Sequence, residues 1–327
     1  MNPQCRIKID GVMASGVMMD RLISCAVTDK EGINADSVQI TLNNSPAAQI
    51  PRKGAKIQVW MGYGDQQLTF MGTFVVDEVE VTLFPHTMNI TGKSADLREK
   101  MKENKERHWD DKTVAKIVSD IAADHGLSAK VDSAVGQHKY TWLGQQDESD
   151  IHFLRRLERR HGALFSIKDG TLIFAKRGAG TKPSGGALSG FTVSQTNIIE
   201  GSGRVRFSDR AEYKQVAAYH QDRDKVERVE VTAPSSADGS ATYRIGTPFA
   251  DPDEATKAVK SKAEELKRQA IKFSCSVFGD PAARAGAPLQ FSGMEAGIDG
   301  IEFIIETAKH AWSKSGYTTS LDGKLKI

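Results

Sequence analysis

Hydrophobic and polar residues alternate with a period of two through much of the first 93 positions. Ile7 and Ile9 share one side of a short segment, and Val38, Ile40 and Leu42 share another. Leu22 to Thr28 gives a third such segment. Alternation bounded by Gly and Pro predicts strands. One whole pattern then occurs twice. Residues 54–93 run GAKIQVWMGYGDQQLTFMGTFVVDEVEVTLFPHTMNITGK, and residues 286–324 run GAPLQFSGMEAGIDGIEFIIETAKHAWSKSGYTTSLDGK. Each opens on Gly-Ala and continues into an alternating strand, with Ile57 and Val59 in one copy and Leu289 and Phe291 in the other. Gln58 and Gln290 occupy the same place in that strand. An apolar run follows, Phe74-Val75-Val76 or Phe303-Ile304-Ile305, and meets an acid at once. Each copy closes on Gly-Lys, at Gly92-Lys93 and Gly323-Lys324. Repetition of a whole unit predicts two modules of like architecture.

Between the copies the period changes to that of helices. Val114, Ile117, Val118, Ile121 and Ala122 follow the spacing of one helical face, with Gly126 as the stop. Asp110 is the expected cap, and Trp109 is expected to pack on Val114. A second helix is expected after Asp147-Glu148-Ser149-Asp150, with Ile151, Leu154 and Leu157 inward and Gly162 as its end. Phe165 and Ile167 lead into Asp169-Gly170, a favoured hairpin turn, and Leu172 and Phe174 return. Residues 177–190 are rich in Gly, Ser and Pro and read as a connection. Strands are expected near 192–199, 211–219 and 226–232. A third helix opens at Asp251-Pro252-Asp253-Glu254, with a cap residue, Pro at the first helical position and acid three residues on. The expected fold is mixed α+β and mainly β: a first β-barrel over 1–93, an α/β insert over 94–176, a linker with connecting strands over 177–207, and a second β-barrel with one packed helix over 208–327.

A chain of 327 residues with 39% hydrophobic and 26% charged residues has the composition of a globular protein with ample length for cores. Its net charge of +2 gives no global pull toward nucleic acid or membrane. The basic runs at 98–107 and 155–160 are interleaved with acids and read as solvated helix faces. Three scattered cysteines, Cys5, Cys25 and Cys275, form neither a disulfide framework nor a metal motif, and fit synthesis in a reducing cytoplasm. The N-terminus carries Arg6, Lys8 and Asp10 and reads as no secretion signal; the patch at 12–19 is too short to anchor in a bilayer.

Motifs of catalysis are sparse. Gly201-Ser202-Gly203 stops short of a nucleotide-binding fingerprint. His152 and His161, with Glu148, Asp150 and Glu158, sit around one helix nine residues apart, where charge pairing at a helix end explains them better than a metal site. His108, His125, His138 and His310 have no ligand-spaced partners. No cofactor or metal is expected, and the chain reads as no enzyme.

The segment 140–174, YTWLGQQDESDIHFLRRLERRHGALFSIKDGTLIF, resembles the signature of the phage late control protein D family, the baseplate hub proteins of contractile tails. Gln146 and Glu148-Ser149-Asp150 match its entrance, Phe153-Leu154 and Leu157 its helix, and Gly162 the step into its hairpin. Gly316-Tyr317-Thr318-Thr319 resembles the family's closing strand. The family is related to the N-terminal part of type VI secretion spike proteins. The resemblance implies a homotrimeric ring with two tube-protein-like barrels per subunit, fitting a sixfold tail tube to a threefold spike. The implied partners are itself, the tail tube protein, a separate spike protein, and the tape-measure and other baseplate proteins, with DNA only as passing cargo and no membrane anchoring. A spike fused to this chain is not expected, since no Gly-rich extension follows the second copy. The resemblance implies synthesis in the bacterial cytoplasm and assembly into a virion tail or a tail-like particle. Ile57, Val59, Met61, Leu289 and Phe291 are the candidate residues for closing the ring. Two other readings are a glycan-binding or glycan-hydrolysing tail component acting through the insert, and a DNA-binding regulator, against which the balanced charge counts.

Overall fold

Alternating segments pair because each offers one apolar face and unpaired backbone groups along both edges. The computed structural model describes residues 2–32, 36–64, 68–94, 99–168, 170–177, 188–208, 213–222, 227–236, 239–249 and 251–327. Among these, strands predominate, and three helices reach 11, 12 and 19 residues. The fold is thus mixed α+β and mainly β. Two compact units interleave along the chain. One comprises Met1–Leu97, Ser189–Arg204 and Phe273–Gly323, and the other Arg98–Leu188, Val205–Lys272 and Lys324–Ile327. These units are not the successive segments that chain order suggests, because the late copy of the repeated pattern shares a unit with the early one.

The first unit is built on one long sheet. Its path runs Arg204–Phe207, Ile271–Phe278, Gly316–Leu325, Glu302–Ser313, Leu22–Lys30, Ser37–Asn43, Thr87–Ser94, Thr69–Thr82, Lys56–Tyr63, Pro3–Ile9 and Val12–Met13. Register places apolar residues side by side: Ile7 beside Val59, Ile57 beside Phe74, Ile90 beside both Val79 and Ile40, and Ile40 beside Cys25. All but the partly buried Val79 lie in one buried cluster, so a slip of one residue would turn that face to water. Each large side chain such as Phe74 contributes roughly 2–3 kcal/mol through burial. The three cysteines are free and buried within this sheet.

In the second unit, Asn104–Thr113 pairs antiparallel with Lys139–Ser149, with Trp109 opposite Leu143. Ala163–Lys168, Thr171–Lys176 and Ser128–Val131 form a three-stranded sheet whose last pairing is parallel. Gln215–Asp222 lies between Glu227–Pro234 and Thr242–Arg244 in another. The long helix Pro252–Ala270 covers that last sheet with Ala255, Ala258, Val259, Ala263 and Leu266, which pack with Val216 and Ala218. The expected hairpin forms, with Lys168 opposite Thr171, although Asp169 of its turn and residues 178–187 of the expected linker lie outside the described residues.

The helix Val114–Asp124 buries the five expected residues, but its start differs from expectation. Its cap is Thr113, whose hydroxyl accepts from the Lys116 amide at 3.2 Å. Asp110 belongs to the preceding strand, where it lies opposite Trp142 in the pairing of 104–113 with Lys139–Ser149. Trp109 stacks on Phe153, with ring centroids 4.9 Å apart, instead of stapling Val114. Ser149 caps the helix Asp150–His161, and Gly162 ends it at φ +62°, a conformation that favours glycine. Asp251 caps the third helix by accepting from the Glu254 amide at 2.8 Å. Thr113→Ala is therefore expected to cost about 1 kcal/mol, while Asp110→Ala stays within ~0.5 kcal/mol of the parent. Urea unfolding of the two variants checks this assignment.

Candidate assembly interface

The two copies of the repeated pattern share the backbone hydrogen bonds of their Gly-Ala corner residue for residue. In the first, the Gly54 amide donates to the Val76 carbonyl at 3.0 Å, and the Val76 amide donates to the Ala55 carbonyl at 2.9 Å. In the second, Gly286 donates to Ile305 at 2.7 Å and Ile305 donates to Ala287 at 3.0 Å. In both, the Ala amide turns back to an Arg carbonyl, Arg52 or Arg284, at 3.2 Å. The corner needs a left-handed glycine, φ +81° at Gly54 and +84° at Gly286. Beyond it the register repeats: Ile57 opposes Phe74 and Gln58 opposes Thr73, as Leu289 opposes Phe303 and Gln290 opposes Glu302.

The closing strands repeat as well. A Cβ on Gly92 would lie 3.1 Å from the Val75 carbonyl oxygen, and one on Gly323 would lie 2.2 Å from the Ile304 carbonyl oxygen. Val75 and Ile304 are equivalent positions, so the same backbone approach favours glycine in both copies, more strongly at Gly323 than at Gly92. The side chains flanking these glycines, Val38 and Phe273, come from the strands Ser37–Asn43 and Ile271–Phe278.

The five residues expected to close a ring are core residues. Ile57, Val59, Met61, Leu289 and Phe291 are at most 4% exposed. Their strands are not sheet edges either. Lys56–Tyr63 pairs with Pro3–Ile9 and Thr69–Thr82, and Pro288–Ser292 pairs with Phe191–Ser194 and Glu302–Ser313. Burial of the alternating face is what their spacing recorded, and it leaves those side chains nothing to offer a neighbour.

What joins the copies within the chain is Leu22–Lys30. One edge pairs with Ser37–Asn43, and the other pairs with Thr307 to Ser313, Ala26 lying opposite Ala311. The junction is fastened further by Asp29, whose carboxylate accepts from the Ala285 amide at 3.0 Å, and by the Trp312 indole donating to the Pro3 carbonyl at 3.1 Å.

In the second unit, the charged residues of the 140–174 segment build a buried network. Asp150 accepts from Lys105 at 2.7 Å, Arg107 at 2.6 Å and Gln145 at 3.0 Å, and lies 2.7 Å from His125 Nε2. Burial alone would raise its carboxyl; Lys105, His125, Gln145 and Arg107 outweigh that and hold it below the usual carboxylate range. The Tyr140 hydroxyl donates to Glu254 at 2.6 Å and contacts His161 Nε2 at 2.8 Å, and Arg160 also donates to Glu254 at 2.8 Å. His161 is thus a buried partner of Tyr140 and not a helix-end charge pair, and the His138 ring lies 5.0 Å from it despite the sequence separation. An open groove of about 1520 Å³ runs past Tyr140, Trp142, Glu148, Arg156, Asp253 and Lys257. Two of its carboxylates are engaged by arginine: Glu148 accepts from Arg156 at 2.8 Å, and Glu254 is held as described. Among the described residues, no group of three or more His, Cys, Asp or Glu is placed to hold a metal ion, and no helix is long and apolar enough to cross a membrane.

A duplicated sheet within one unit and a charged, acid-Ser-acid-led helix in the other are the features to match against known proteins. Residues 31–316 match the phage tail baseplate hub (GPD) family. The chain belongs to that family. It is a baseplate hub protein of a phage-type tail, a structural component and not an enzyme. A probable baseplate hub protein of Escherichia phage P2 is 28% identical to this hub protein, covering 100% of the chain and 94% of that relative. A tail protein from Neisseria meningitidis MC58 shares the fold at a TM-score of 0.72 and 14% identity, covering 99% of this chain and 97% of that one. A component of the Escherichia coli type VI secretion system, with structural similarity to T4 bacteriophage tail proteins, shares it at 0.55 and 10%, covering 98% and 77%.

Two outcomes follow for the hub protein. Gly323→Ala drives a methyl group into a backbone carbonyl and is expected to cost more than about 3 kcal/mol, against about 1–2 for Gly92→Ala, where the contacts are merely tight; thermal unfolding of the two variants checks the ranking. The second concerns acid. Burial, helped by Arg284, brings His310 down to about 4, and burial, helped by His138, brings His161 down to about 3. Both rings are neutral when folded and protonate near pH 6.5 when unfolded. Their stabilisation is complete above about 6.5 and falls as pH drops toward 4, by up to about 1.4 kcal/mol per pH unit for each ring. Urea midpoints at pH 8 and pH 5 are expected to differ, and His310→Gln is expected to reduce the difference.

Proposed function

We propose that three copies of this hub protein close into a ring that fits the sixfold tail tube to the threefold central spike. The reading rests on the duplication: within one sheet the chain supplies two copies of one strand pattern, with the same register beside the same glycine corner, so three chains present six equivalent modules. Each module acts as one tube-protein-like barrel wall. One face of the ring takes the tail tube protein, and the opposite face takes a separate spike protein, with the tape-measure protein and other baseplate proteins as further neighbours. The chain is made in the bacterial cytoplasm and assembled into the baseplate. DNA passes through the axis without being bound. Its work is geometric adaptation and transmission of force.

The groove beside Trp142, which is 54% exposed, invites the glycan reading. The arginine pairing of Glu148 and Glu254 argues against a hydrolytic carboxylate pair there. Sedimentation equilibrium of the full-length chain, alone and with the tube protein, tests the ring. A threefold mass is expected. A persistent monomer, or six copies per tube end, overturns it.

A further inference from the structure

The duplication has one incomplete seam. Counting on from the equivalent residues Val76 and Ile305, Glu78 corresponds to Thr307 and Thr82 to Ala311. Thr307 to Ala311 is covered by Lys30 to Ala26 of the same chain. Glu78 to Thr82 pairs with Thr91 to Thr87 on one edge only, and among the described residues no strand pairs with the other edge. The hairpin tip beyond it, Leu83 and Phe84, is 80% and 89% exposed. The opposite end of the pattern is open in the complementary sense. Leu22–Lys30 flanks Ser37–Asn43 and reaches across to the second copy; Arg204–Phe207 flanks the equivalent strand Ile271–Phe278, and its far edge ends the sheet path.

The two open edges also match in sequence. One reads Glu78-Val79-Glu80-Val81, with both glutamates exposed and both valines half-buried against the core cluster. The other reads Arg204-Val205-Arg206-Phe207, with both arginines exposed and Phe207 60% exposed. Period-2 alternation puts both acids on one face of their strand and both bases on one face of theirs. Cross-strand pairs of opposite charge stabilise such a ladder, and the alternate positions, Val79 and Val81 on one edge and Val205 and Phe207 on the other, are all apolar.

We propose that the Glu78 to Thr82 edge, with the Leu83-Phe84 tip, receives the strand Arg204–Phe207 of a second copy of this chain. The inter-chain seam then repeats the intra-chain seam, by strand addition at an exposed edge. The contact is head to tail, and it closes after three copies only if the ring proposed above is correct.

The test uses the full-length chain. Glu78→Arg with Glu80→Arg is expected to raise the concentration for half-assembly roughly tenfold or more. Adding Arg204→Glu and Arg206→Glu to the same chain is expected to restore assembly, since the opposed charges are exchanged. Far-UV circular dichroism of each variant checks that these exposed substitutions leave the monomer folded. Hydrogen exchange of the parent gives an independent readout: the amides of residues 78–82 are expected to slow in the trimer relative to dilute monomer. A trimer that forms without that protection, and ignores the charge reversal, overturns this seam and leaves the ring standing. A parent chain that stays monomeric at all concentrations overturns the ring and the seam together.

Discussion

Leu22–Lys30 is the strand on which the rest of the hub protein depends, because it is hydrogen-bonded along one edge to the second copy and along the other to Ser37–Asn43, the strand that pairs with the closing strand of the first copy. A strand so placed cannot be displaced without opening two ladders at once. It also fixes the relative register of the copies, since Cys25 meets Ile40 on one side and Trp312 on the other. Backbone pairing does this with no demand on side-chain identity, which is why two copies that differ at most positions can still form one sheet. The Gly-Ala corner supplies the remaining constraint. Its reciprocal hydrogen bonds tie the start of each module to its longest strand, at Val76 or Ile305, so a module arrives at the junction already shaped.

The second unit obtains its order differently, through buried charge. Asp150 is fully buried yet meets Lys105, Arg107, Gln145 and His125, which come from a strand, a facing strand and a helix end. Such a network gives little net stability over an apolar equivalent, but removal of one partner strands the others at about 3–5 kcal/mol. It therefore acts mainly on specificity, fixing how the helix Asp150–His161 meets the ribbon that precedes it. The acid-serine-acid entrance is legible in this light. Ser149 caps the helix, Asp150 anchors the network and Glu148 pairs with Arg156 about two turns along.

Local signals in the sequence carried far where one residue does one job. The apolar faces of the helices, Gly162 as a stop and Asp251 as a cap were legible because propensity, period and capping agree. The helix start at Asp110 misled because a good capping residue stood three places before a second one, Thr113, and tertiary strand pairing chose between them. The ring-closing residues misled for a related reason. Alternation marks the face that is buried, and at Ile57, Val59, Met61, Leu289 and Phe291 the burial is against the chain's own core. Three features had no local signature at all: the strand pairing of 104–113 with 139–149, the meeting of His138 with His161, and the membership of 205–272 in the same unit as 98–188.

The duplication also explains why the seams need not be symmetric in chemistry. Inside the chain, the second copy's hairpin tip is tied down by Trp312 donating to the Pro3 carbonyl and by Lys314 donating to the Asp20 carbonyl at 2.7 Å. Those partners are covalently present, so a few contacts to backbone groups suffice. An edge that must find its partner by diffusion gains from charge, which steers encounter and rejects wrong registers. Glu78 and Glu80 stand where the internal seam has Thr307 and Lys309, and Leu83 and Phe84 stand near the position of a tip that is already packed in the other copy. One backbone plan thus serves two seams, and the side chains differ where one seam forms on folding and the other on assembly.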